Sequence, residues 1–224
     1  MKYSWRTEWP LWLILAAMFL IAVLAWNAVP DQIPVHWGLR GEPDRMGGRF
    51  EGLFILPLVS LFIYGVLRIA PRIDPARANY DAFAGAYATV RIIVLAALLA
   101  VQIVTVLAAL GRPVNISGVV PLILGVLFVG LGNVLGKLRP NWFIGIRTPW
   151  TLSSRRSWDR THQVGGWLFL VFGVLLMAAA LAREAWMLVT VFSLFGVGVI
   201  GLVVYSYVEW KQDPEKTPPS SERP

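Results

Sequence analysis

The chain has 224 residues, of which 57% are hydrophobic and only 15% charged, with a mean hydropathy of +0.63 and a formal net charge of +7. That composition excludes an ordinary soluble domain. Cysteine is absent, which excludes disulfides, thiolate nucleophiles and cysteine metal sites and leaves the redox compartment open.

Apolar runs occupy residues 11–29, 53–67, 87–110, 119–135, 167–182 and 186–208. A helix crossing the roughly 30 Å hydrocarbon core needs about 20 residues, since lipid satisfies no backbone polar group. The second and fifth runs are short and are expected to extend at either end. The first follows Lys2 and Arg6, but it is too long for a signal peptide and Val29-Pro30-Asp31 is a poor cleavage site, so it reads as an anchor. The expected fold is an all-α integral membrane protein, a bundle of about six transmembrane helices.

Charge then orients it. The N-terminus (Lys2, Arg6), second loop (Arg68, Arg72, Arg77), fourth loop (Lys137, Arg139, Arg147, Arg155, Arg156, Arg160) and tail (Lys211, Lys216, Arg223) hold 14 basic residues. The other side holds five: Arg40, Arg45, Arg49, Arg112 and Arg183, with Arg91 inside the third span's edge. Both termini are therefore expected in the cytoplasm of a bacterial cell, with the protein multi-pass in the cytoplasmic membrane. The basic residues are matched to anionic membrane lipids, and no direct nucleic-acid contact is expected.

Three parts are expected: a two-span unit over 1–75 with an ordered extracytoplasmic loop at 30–50, a four-span unit over 76–210 with a cytoplasmic loop at 137–166, and a disordered tail at 211–224 rich in Pro, Ser, Glu and Lys.

The first loop reads PDQIPVHWGLRGEPDRMGG. Ile33, Val35, Trp37 and Leu39 alternate with polar or small residues, which suits a short extended segment with one apolar face. That face is expected on the bilayer interface with Trp37 at headgroup depth, leaving His36 turned away from lipid. Pro30, Pro34 and the Gly41-Glu42-Pro43-Asp44 turn favour an ordered loop. Asp31, His36, Trp37, Glu42 and Asp44 are its candidate ligand-contacting residues. One histidine with scattered acids is weak evidence for a metal, so none is expected.

The fourth loop reads NWFIGIRTPWTLSSRRSWDRTHQVGG from Asn141. Trp142, Phe143, Ile144 and Ile146 suit the membrane interface, and Thr148-Pro149 breaks the segment there. Thr151 or Ser153 is expected to cap a new helix. From Ser154 the spacing is helical, Trp158, Thr161, His162 and Gly165 sharing one face and the helix running on into the fifth span. The segment Gly132-Asn133-Val134-Leu135-Gly136 suggests close helix packing.

These two segments resemble a known family. The second is similar to the signature of SdpI-like proteins, and the first to a short domain of unknown function found at the start of many of them. The family's N, IGIRTPWTL, W and TH elements fall on Asn141, 144–152, Trp158, Thr161 and His162. Ser154, Arg155 and Arg156 depart from it, standing where acidic or asparagine residues are expected. The resemblance implies a membrane immunity and signalling protein that confers resistance to a secreted, membrane-active peptide toxin. It also implies a cytoplasmic transcriptional autorepressor held at the membrane. The expected partner-binding residues are Asn141, Ile144, Gly145, Arg147, Thr148, Pro149, Trp150, Thr151, Trp158, Thr161 and His162. Arg147 is expected to brace the loop through its planar fork.

Catalysis is disfavoured, since the chain lacks a G-x-S-x-G elbow, an H-E-x-x-H helix and a P-loop, and His36 and His162 fall on opposite sides of the membrane. No cofactor is expected. The alternative is a transporter or exporter of a hydrophobic peptide or small molecule. Coupled transport places ionisable groups inside the spans, where Gln102, Thr105 and Asn133 are the main polar side chains expected.

Overall fold

The structure, a computed structural model, describes residues 5–217. Lys2, the side chain of Arg6 and the end of the tail from residue 218 lie outside the described residues. Six helices are long and apolar enough to cross a membrane. They are α1 (Trp5–Ala25), α2 (Arg49–Ile73), α3 (Ala84–Ala109), α4 (Ile116–Leu135), α6 (Arg155–Ala182) and α7 (Ala185–Lys211); the short α5 (Pro149–Ser153) precedes α6. The expected spans are all present; the second extends at both ends, and the fifth extends at its start while stopping at Ala182. The first starts and stops earlier than its apolar run, because Thr7 and Glu8 join the helix while 26–29 turn out of it.

The helices pack in two groups joined through α3. On one side α1, α2 and α3 touch one another; on the other α4 packs on α6 and α6 on α7. Glycines set the α4–α6 distance. A Cβ on Gly132 would lie 2.7 Å from the Gly166 carbonyl oxygen, and one on Gly173 2.6 Å from that of Gly125. Small residues let two backbones approach where lipid provides no hydrophobic drive for association, so the packing role expected near Gly132 is met.

The first loop is a hairpin, β1 (Gln32–Trp37) paired antiparallel with β2 (Pro43–Gly48), so the helical bundle carries a small sheet at one end. Its apolar face does not lie on the bilayer. Ile33 is fully buried among Ala22, Ala25, Val29, Leu53, Val106 and Ala109, with Val35 packed on the same cluster, whereas Leu39 escapes the pattern and is exposed. The physical reason is contact with α2: a Cβ on Gly52 would meet the Ile33 side chain at 2.4 Å, so the strand lies directly on the helix backbone. At the tip, Gly41 has φ +79°, and a Cβ there would lie 2.9 Å from the Ser117 backbone nitrogen, which brings the hairpin over the start of α4.

Candidate functional site

The fourth loop is a folded knot at the opposite end of the bundle from the hairpin. Lys137 and Leu138 turn off α4, and Asn141, 1% exposed, organises the residues after it. Its side-chain oxygen accepts from the backbone N–H groups of Phe143 and Ile144, and its amide donates to the Arg139 carbonyl. Gly145 comes next at φ +111°, a conformation open mainly to glycine. A Cβ there would lie 2.5 Å from Nε2 of His162.

His162 is fully buried and uses both ring nitrogens. Nε2 accepts from the Ile146 N–H at 2.9 Å, and Nδ1 lies 2.8 Å from the Trp158 carbonyl. Because a carbonyl only accepts, this arrangement fixes the neutral tautomer with the proton on Nδ1. The ring stacks on the indole of Trp158 with centroids 4.0 Å apart, and the indole N–H donates to the Leu138 carbonyl. The expected face of Trp158, Thr161, His162 and Gly165 is therefore present and wholly buried. Thr161 alone on it has a hydroxyl with no hydrogen-bond partner among the described residues.

The caps differ from the expectation. Thr148, rather than Thr151 or Ser153, caps α5, its hydroxyl accepting from the Thr151 N–H while the Thr151 hydroxyl accepts from the Thr148 N–H. Pro149 fills the first helical position, where no N–H is needed. Ser154 then caps α6 through the Ser157 N–H. The physical reason is that the Thr148-Pro149 break starts a helix as well as ending a segment.

Four residues that sequence reading passed over complete the knot. Asp74, 1% exposed, accepts from the Tyr80 hydroxyl and the Trp142 backbone N–H, tying the second loop to the fourth. Ser206 of α7 bonds the Thr148 hydroxyl and accepts from Ser157 at its carbonyl. Asp213 accepts from the Ser154 hydroxyl, and Thr217 bonds the Ser153 carbonyl through both its N–H and its hydroxyl. Asp213 and Thr217, read from composition as part of a disordered tail, are thus hydrogen-bonded to the loop. The Asp74-Pro75 turn signal was visible in the sequence; Ser206 carries none.

The bond from Ser154 is the main cause holding the Asp213 carboxyl below its ordinary value, with the Glu215 N–H adding to it. A depressed folded value contributes stability above the unfolded value and loses it as pH falls through the folded one. The Glu215 backbone amide, which donates to that carboxylate, is therefore expected to lose its protection from hydrogen exchange, relative to an unstructured peptide at the same pH, as the pH falls below the usual aspartate range. Asp213→Ala should remove that protection already at neutral pH.

Arg147 is exposed and donates one guanidinium N–H to the Trp142 carbonyl. A single bond at an exposed site does not need the planar fork, so the fork expectation loses its geometric basis. Arg147→Ala is expected to cost about 0.5–1.5 kcal/mol, and Arg147→Lys less, by denaturant unfolding in micelles. A function lost in Arg147→Lys at unchanged stability would mark a contact beyond the chain.

The candidate residues thus fall in two places. Asn141, Thr148, Thr151, Trp158, Thr161 and His162 are buried in the knot, with Ile144, Gly145 and Trp150 half-buried and Arg147 and Pro149 exposed around them. Asp31, His36, Trp37, Glu42 and Asp44 belong to the hairpin end, where all but the half-buried Trp37 are exposed. His36 Nδ1 lies 2.5 Å from Asp44, while Asp31 pairs with Arg49 at 3.1 Å, so the acids do not converge on His36.

A further correction lies inside the spans. Glu8, 7% exposed, takes a two-pronged contact from the guanidinium of Arg91, at 2.7 and 3.1 Å, and a hydrogen bond from the Tyr64 hydroxyl; Arg68 stands 3.4 Å away. Ionisable groups are therefore present within the helices, beyond Gln102, Thr105 and Asn133. Glu8 was missed because the first apolar run begins three residues after it; Arg91 within a span was the available signal.

The fold and the knot together define a six-span membrane protein with a structured hairpin at one end and a structured basic loop at the other. Residues 137–206, which open at the knot and close at Ser206, match the SdpI/YfhL protein family, and residues 13–61 match the Domain of unknown function (DUF1648). Immunity protein SdpI of Bacillus subtilis is 23% identical over 200 residues, covering 89% of this chain and 94% of that protein. An uncharacterized protein of Archaeoglobus fulgidus is 36% identical over 59 residues, 26% of this chain and 32% of that one. No solved structure matches. The chain is thus a membrane protein that is similar to SdpI-like proteins, with one segment matching SdpI/YfhL and another matching DUF1648.

Proposed function

We propose that this protein is a membrane immunity protein that protects its cell from a secreted, membrane-active peptide toxin. The observation that carries the reading is the alignment with Immunity protein SdpI along nearly the whole of both chains. The hairpin is the part placed to meet the toxin. With the basic residues concentrated at the knot end, the positive-inside rule sets the hairpin outside the bacterial cytoplasmic membrane. His36 and Trp37 stand on it as exposed and half-buried contacts. The knot is the reporting end, where the exposed Arg147, Arg155, Arg156 and Arg160 offer a surface to a cytoplasmic repressor. No catalytic step is part of this function.

The test is protection. A sensitive bacterial host expressing the chain is challenged with peptides secreted by the strain that carries it, and membrane potential is followed. The host should stay polarised, and His36→Ala should reduce protection at unchanged membrane levels of the protein. Depolarisation equal to that of an empty-vector host would remove the immunity reading.

Export of a hydrophobic peptide is the second reading, favoured by the buried Glu8–Arg91 pair. Uptake of labelled peptide into inverted vesicles that depends on a proton gradient would support it over passive immunity.

A further inference from the structure

Between α2 and α4, at the hairpin end, lies a cavity of about 520 Å³ that the immunity reading does not use. No direct packing joins α2 to α4; α3 forms the back wall through Val101, Val104 and Thr105, and the strand β1 and hairpin tip form the roof. Leu188 and Phe192 of α7 close the far side. The lining below the roof is apolar, and the one hydroxyl on the back wall, that of Thr105, is spent on the Val101 carbonyl of its own helix. Charge appears only at the roof, where Arg45 and Glu51 pair at 2.6 Å beside His36 and Asp44.

We propose that this cavity holds a hydrocarbon chain of a zwitterionic phospholipid from the leaflet at the hairpin end, with its headgroup at Arg45 and Glu51. Lining and length decide the first part. The wall from Ile116 to Leu124 runs about 12 Å along α4, most of one leaflet, and it is apolar below the roof, which matches an extended hydrocarbon chain in length and chemistry. Charge complementarity decides the second. The Arg45 guanidinium keeps N–H groups free of Glu51 to donate to a phosphate, and the Glu51 and Asp44 carboxylates keep lone pairs to accept from an ammonium. An anionic glycerol headgroup would bring the same two carboxylates only neutral hydroxyl donors, with no positive charge to set against theirs.

The proposal stands apart from immunity, and so does its test. The full chain is placed in nanodiscs of phosphatidylethanolamine and phosphatidylglycerol, each doped in turn with the same lipid bearing a photoreactive group on its acyl chain. Crosslinks are mapped by mass spectrometry. Labels from the ethanolamine lipid should collect on Leu56, Val104 and Val120, several-fold above those on Val126, which is 60% exposed on the lipid-facing side of α4. Arg45→Gln should bring the two lipids to equal labelling, and Val120→Trp should empty the cavity positions while Val126 is unchanged. Labelling of the cavity positions no stronger than that of Val126 would overturn the site, whatever the variants do. Equal labelling by the two lipids in the unaltered chain would overturn the headgroup assignment.

Discussion

Glu8→Ala is expected to lower the stability of the folded bundle by about 3–5 kcal/mol, because it removes the carboxylate that both contacts of a buried guanidinium reach. Arg91 is 1% exposed, and its two contacts to the carboxylate tie the start of α1 to the start of α3. Arg91→Ala should cost a similar amount by stranding the carboxylate instead. The Tyr64 hydroxyl would keep one bond to Glu8, and Arg68 stands near enough to offset part of the loss. Replacing both members by leucine and methionine is expected to recover most of the stability, since the desolvation of two charges is avoided together. Denaturant unfolding in mixed micelles measures all three. A single substitution that costs under about 1 kcal/mol would show the pair to be hydrated and weak.

At the other knot-end feature of this weight, Gly145→Ala is expected to cost about 3 kcal/mol or more. The backbone at φ +111° disfavours any Cβ by about 1–3 kcal/mol. The added carbon would also press to 2.5 Å on the His162 nitrogen that accepts from Ile146. That ring cannot retreat, because Trp158 stacks on it and the Trp158 carbonyl holds its other nitrogen. Displacing it would leave a buried N–H unpaired, worth about 1–3 kcal/mol more. Faster exchange of the Ile146 amide, with the loss of stability, is the measurement. Gly201→Ala in α7 is the control, as a Cβ there meets nothing, and it should be neutral or slightly stabilising. An Ile146 amide as protected in Gly145→Ala as in the parent chain would refute the brace.

The same brace explains why the family-like residues were readable while their roles were not. Asn141, Arg147, Thr148, Trp150, Thr161 and His162 stand out as types that a basic loop does not require. Burial gives the reason for Asn141, Thr148 and His162: each satisfies a backbone group that the loop would otherwise leave unpaired. A partner-contact role for these positions would act through the loop's shape, with Arg147 and Pro149 at its exposed edge.

The sequence by itself determined the features that period and length dictate. Six apolar runs must be helices because lipid leaves the backbone no other partner, and the helical spacing of Trp158, Thr161, His162 and Gly165 must put them on one face. The alternation from Ile33 to Trp37 required an extended strand with two unlike faces. Only the tertiary structure decided what each face meets. Ile33 turned to the bundle rather than the bilayer because Gly52 lets the strand lie on α2, and no local pattern announces a glycine's partner. Glu8 found Arg91, Asp74 found Trp142 and Ser206 found Thr148 across dozens of intervening residues. Such pairings depend on which helices are neighbours, and periodicity fixes the face a helix offers without fixing the helix that receives it.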